Sequence, residues 1–142
     1  MKYFKLKEFL YEVEDEGNNL FLTIALYGSH SKFEVAKNEI ISQLTRDEIV
    51  ELINMKNVND DTALHLAVAF NNRILLIRSL IAFIKENLDE VSFKAILIAK
   101  GRRRHSPIRQ AKQFNNELLK EIREIYNKYI EYKKIKKMLM KK

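Results

Sequence analysis

The sequence predicts an all-α chain, a solenoid of three stacked helical repeats with extra short helices and a helical cap at each end. Three observations carry that prediction. Gly occurs 3 times and Pro once in 142 residues, too few turn residues for a sandwich or barrel of many strands. Residues 62–72 lie over residues 106–116 without gaps, and residues 19–29 precede them in the same alignment. Self-similarity at a period of this size marks supersecondary units that bury their apolar faces on one another. Finally, apolar residues recur at helical spacing after each copy.

The elements follow in chain order. Tyr3, Leu6, Phe9, Leu10 and Val13 form one apolar face, so residues 1–14 read as an N-terminal cap helix. Repeat 1 spans 15–56, repeat 2 spans 57–100 and repeat 3 spans 101–127. Each opens its first helix at a side chain able to accept from free N–H groups, namely Asn19, Thr62 and Ser106. Pro107 stands just inside the third such helix, where a missing N–H costs nothing. The first helices end at Gly28, Asn71 and Asn115, types that tolerate the left-handed backbone of a tight helix–helix turn.

A second helix returns in each copy, with apolar positions Ala36, Ile40, Ile41 and Leu44, then Ile77, Leu80, Ile81 and Ile84, then Leu118, Leu119, Ile122 and Ile125. A third, short helix is predicted in the first two repeats, on the outer side. Thr45 with Glu48 precedes Ile49, Val50, Leu52 and Ile53, and Asn87 with Glu90 precedes Val91, Phe93, Ile96 and Leu97. Both are polar caps with Glu three residues on, followed by an apolar stripe. Residues 128–142 continue as a basic helical tail.

The middle copy carries a family resemblance. Asp60-Asp61-Thr62-Ala63-Leu64-His65-Leu66-Ala67 resembles the T-P-L-H-x-A signature of ankyrin repeats, with Asp60 where Gly is usual. Gly17 and Gly28 stand at the two Gly positions in the first copy, while the third has Arg104 and Arg109 where the Gly and His would be. An ordinary ankyrin repeat has about 33 residues, so each unit here is roughly ten residues longer, the surplus being the third helix. The resemblance implies a role for His65 in bracing its turn. It also implies a non-enzymatic module that binds a partner protein at the hairpin tips and the exposed side of the first helices.

Carried over by position, the implied contact residues are Asp15, Glu16, Asn18, Leu26 and Tyr27; Val58, Asn59, Asp61, Ala69 and Phe70; and Arg102, Arg103, His105, Gln113 and Phe114. Tyr27, Phe70 and Phe114 occupy the same place in every copy and predict an aromatic row. Two readings of that row stand at this point: anchors for a partner, or rings tucked between neighbouring first helices.

Charge adds a second constellation. The chain carries +7 overall, yet residues 1–71 hold 7 basic and 12 acidic side chains, and residues 72–142 hold 19 basic and 7 acidic. Such asymmetry orients charged partners at long range. Arg102, Arg103, Arg104, Lys133, Lys134, Lys136, Lys137, Lys141 and Lys142 are candidate contacts for a polyanion, either nucleic acid or an anionic membrane. The plainer reading is a solvated capping helix whose lysines suit the helix dipole.

Other chemistry is excluded. With no Cys there is no disulfide framework and no thiol nucleophile. His30, His65 and His105 lack any paired ligand spacing, and no Gly-rich phosphate loop or nucleophile elbow occurs. No cofactor, metal or small-molecule substrate is expected, and the chain is expected to be a monomer. No uninterrupted apolar run is long enough to span a bilayer, and charge at Lys2, Lys5, Lys7 and Glu8 replaces the apolar stretch of a Sec signal. Lys, Ile and Asn fill 46 of 142 positions, the bias of an AT-rich coding genome. Together with the resemblance, this points to a cytoplasmic protein or a host-directed factor exported by an intracellular microbe.

Overall fold

Four helices begin where the sequence supplies a side-chain acceptor for their orphan N–H groups, at Asn19, Ser29, Thr45 and Asp89, whereas Thr62 and Arg73 make no such cap bond. In the computed structural model, which describes residues 10, 12–71, 73–101, 105–107, 109–110 and 116–140, α1 (Leu20–Tyr27) starts with Asn19 Oδ1 accepting the Leu22 N–H at 2.9 Å. Ser29 Oγ caps α2 (His30–Gln43) through the Lys32 N–H. The capping box predicted for α3 (Arg46–Asn54) is complete: Thr45 Oγ1 accepts from Glu48 N–H at 3.2 Å, and Glu48 Oε1 accepts from Thr45 N–H at 2.9 Å. The short α4 (Ala63–Leu66) runs into a π-helical turn, Ala67–Asn71. Then come α5 (Ile74–Asn87), α6 (Glu90–Ile98) and α7 (Asn116–Met140). Between α6 and α7, Pro107, Arg109 and Gln110 are helical, and Ser106 Oγ accepts the Arg109 N–H at 3.2 Å. Among the described residues every regular element is a helix.

α1 lies against α4 and its π turn, α2 against α5, and both α3 and α6 against α5, with α6 reaching α7. The two short helices that the caps near 45 and 87 predict therefore both pack on α5. One continuous core results, and its centre is a triad of rings. Phe21, Phe33 and Phe83 come from α1, α2 and α5, with centroids 6.2–6.4 Å apart. Tilted and edge-on contacts of this kind add to simple area burial.

Several expectations are corrected. Asp89, not Asn87, caps α6, accepting from Ser92 N–H at 2.7 Å. The reason is Leu88, whose N–H bonds to the Ile84 carbonyl; α5 thereby runs to Asn87, whose amide donates to the Phe83 carbonyl. Val91 and Ile41 are exposed, since Ile41 lies about 100° round its helix from buried Ile40 and Val91 about 160° round from buried Phe93. Phe33 rather than Ala36 shares the buried face of α2 with Ile40. Val13 is exposed and non-helical, whereas Leu10 is buried and helical; the rest of the proposed N-terminal cap lies outside the described residues.

The left-handed residues are also elsewhere. Gly28 is extended, at φ −73° and ψ 163°. It is required by space, because a Cβ there would sit 2.5 Å from the Ile24 carbonyl oxygen. Positive φ belongs to Gly17 (80°) and Asp60 (62°), at the hairpin tips where the chain reverses before a first helix. Asn71 lies in the π turn, and Asn115 falls outside the described residues.

Candidate functional site

Three tips recur with the same internal hydrogen bond. Glu14 N–H donates to the Asn18 carbonyl, Asn57 N–H to the Asp61 carbonyl and Gly101 N–H to the His105 carbonyl, at 2.9–3.0 Å. Neighbouring tips are then tied to each other. Val58 N–H donates to the Glu16 carbonyl, and Asn57 Nδ2 donates to Asn18 Oδ1, both at 3.0 Å. Asn57 Oδ1 in turn accepts the Asn59 and Asp61 N–H groups. The first two tips thus form a rigid strip whose geometry is set by backbone and Asn amides.

His65 fixes the second tip to the chain after α6. Its ring is fully buried. Nδ1 accepts the Thr62 N–H at 3.1 Å and lies 2.8 Å from Thr62 Oγ1, while Nε2 lies 2.6 Å from the Ala99 carbonyl oxygen. A ring that accepts at Nδ1 and donates at Nε2 is a neutral imidazole in one tautomer. Burial holds its pKa below the ordinary 6.5, with the Ala99 carbonyl and Asp61 opposing and Lys56 assisting. Gly101 permits this approach: a Cβ there would meet Asp61 Oδ1 at 2.4 Å and His65 Cδ2 at 2.7 Å. The sequence alone gives Gly101 no such role, since the partners lie some 40 positions away.

At the opposite end of the first helices the turns are tied together as well. Asn71 Nδ2 donates to the Ala25 and Gly28 carbonyls, both at 2.9 Å. Arg73 Nη1 donates to the Gly28 and Tyr27 carbonyls and to Asn71 Oδ1 at 3.1–3.3 Å. On this clamped ledge stand the rings of Tyr27, 71% exposed, and Phe70, 47% exposed. Tyr27 is the more open of the two, and Phe70 is about half covered. Arg73 went unnoticed in the sequence; a lone Arg after Asn71 carries no signal until the turns are known to be neighbours.

The remaining predicted contact residues divide. Asp15, Glu16, Val58 and Asn59 are exposed at the tips, and Leu26, Ala69 and His105 are half-buried. Asn18 and Asp61 are corrected: at 4% and 1% exposure they are interior ties of the tips and offer no contact surface. Arg102, Arg103, Arg104, Gln113 and Phe114 lie outside the described residues, as do Lys141 and Lys142. Lys134, Lys136 and Lys137 are exposed on α7, and Lys133 lies on the same helix. Among the described residues no three His, Cys, Asp or Glu side chains converge to hold a metal ion, and no helix is long and apolar enough to cross a membrane. No protein-family model, curated protein or solved structure matches the chain.

Proposed function

We propose that the chain is a non-enzymatic, ankyrin-like repeat module that binds a partner protein across the face carrying Tyr27, Phe70 and the exposed tip residues Asp15, Glu16, Val58 and Asn59. One observation carries the reading: two large aromatic side chains at equivalent places in successive hairpins stand exposed on a ledge that Asn71 and Arg73 make rigid. Aromatic rings on a preorganised scaffold supply binding energy from few residues and lose little entropy when covered. The acidic first tip, Asp15 and Glu16 at the other end of the helix that Tyr27 closes, selects a partner with basic character at its rim. The stacked-repeat reading of the fold rests on the tip hydrogen bonds recurring at one period, and the ankyrin resemblance rests on the residues around His65.

The test is affinity capture from lysate of a candidate host with wild type and with Tyr27→Ala/Phe70→Ala/Phe114→Ala. The proposal expects a partner held by wild type and lost by the variant. Tyr27→Ala/Phe70→Ala, which removes one exposed and one half-covered ring, should stay folded and melt within about 5 °C of wild type. Capture unchanged by the triple substitution would overturn it, and so would a collapse of folding in the double variant.

A further inference from the structure

The last three turns of α7 form an amphipathic, basic helix whose apolar side is not directed at the repeats. Ile122 is fully buried and marks the side of α7 that faces the body. At 100° per residue, Ile135, Met138 and Leu139 fall within an arc of about 100°, turned roughly 150° away from Ile122. They are 55%, 73% and 80% exposed. Lys134, Lys136 and Lys137, all exposed, occupy an arc of about 160° on the other side, with Met140 among them. From Tyr132 to Lys142 the chain has six Lys and no Asp or Glu.

We propose that this end of α7 docks on an anionic lipid surface, lying in the interface with Ile135, Met138 and Leu139 inserted among the headgroups and the lysines held at the phosphate level. The two faces together choose the occupant. A Lys-rich face with a compact apolar stripe is the pattern of an interfacial helix; a nucleic acid would neutralise the lysines but leave the stripe in water. Each Lys near an anionic membrane surface strengthens binding about fivefold. The long stems of the lysines also let the charge reach the headgroups while the helix backbone lies deeper.

The experiment is sedimentation of the full chain with phosphatidylcholine vesicles, with and without about one third phosphatidylserine, alongside duplex DNA binding by fluorescence anisotropy. Wild type should bind the phosphatidylserine vesicles, weaken as salt is raised, and ignore phosphatidylcholine. Ile135→Ser/Met138→Ser/Leu139→Ser should weaken vesicle binding at least about tenfold with an unchanged melting curve, because the three side chains are exposed. Lys134→Glu/Lys136→Glu/Lys137→Glu should abolish it. Failure of wild type to sediment with phosphatidylserine would overturn the proposal. So would vesicle binding that the serine variant retains in full, or DNA binding tighter than vesicle binding and indifferent to the stripe.

Discussion

Replacing His65 with Ala removes a ring at 0% exposure and strips the buried Thr62 N–H and the half-buried Ala99 carbonyl of their side-chain partner. Each orphaned group costs about 1–3 kcal/mol, so the substitution should destabilise the fold by about 3 kcal/mol. For a chain of this size that is a fall in Tm of roughly 10 °C, read by far-ultraviolet circular dichroism. The pH dependence gives an independent check. Folded His65 is neutral and its pKa lies below 6.5 because the ring is buried. Above pH 6.5 the imidazole is neutral in both states, and pH does not act through it. Below 6.5 the unfolded chain takes up a proton that the folded chain refuses, so stability falls by up to about 1.4 kcal/mol per pH unit until the folded pKa is reached. The gap in Tm between wild type and His65→Ala should therefore narrow from about pH 7.5 to about pH 5.5. His30 and His105 are common to both proteins and cancel in that difference. A variant that melts with wild type, or a gap that does not change over this range, would refute the assignment of His65 as a neutral latch.

Other substitutions separate the remaining contributions. Phe83→Ala opens the ring triad at a residue 1% exposed and should cost about 3–5 kcal/mol in urea denaturation, with an unchanged m-value. Asp60→Gly relieves a left-handed backbone at φ 62° and should raise stability by about 0.5–1 kcal/mol, seen as a higher urea midpoint. Gly17→Ala should do the reverse by more than about 1 kcal/mol, because its φ is 80° and a Cβ would lie 3.0 Å from Val58 N. Glu121 accepts a bidentate hydrogen bond from Arg78 that ties α5 to α7, and the same Arg holds its carboxyl below the usual range. Glu121→Gln, at a half-buried carboxylate paired with an exposed Arg78, should cost no more than about 1 kcal/mol at neutral pH, an amount that shrinks in high salt.

Local chemistry was legible wherever a residue acts on its own few neighbours. Asn19, Thr45 and Ser106 accept from N–H groups within their own turn, so a cap can be read from a stretch of four residues. The helices, the recurring tips and the apolar stripe of α5 follow from the same short-range periodicities. The exceptions show where that reach ends. Asn87 and Asp89 are both competent caps, and only the burial of Leu88 decides between them. Asn18 and Asp61 look like tip contacts by position, yet they face inward because Asn57 lies close enough to bond with both of their segments.

What the sequence determined by itself is the helical class, the caps at Asn19, Thr45 and Ser106 and the residue types available to each turn. These depend on contacts between residues a few positions apart, which a linear pattern records directly. The tertiary structure alone decided that Gly28 and Gly101 are there for space, that Arg73 and Asn71 clamp a neighbouring turn, and that Tyr27 and Phe70 face outward. Each of those outcomes depends on atoms separated by tens of residues meeting within a few ångströms, and distance through space is set by how the layers pack, not by order along the chain.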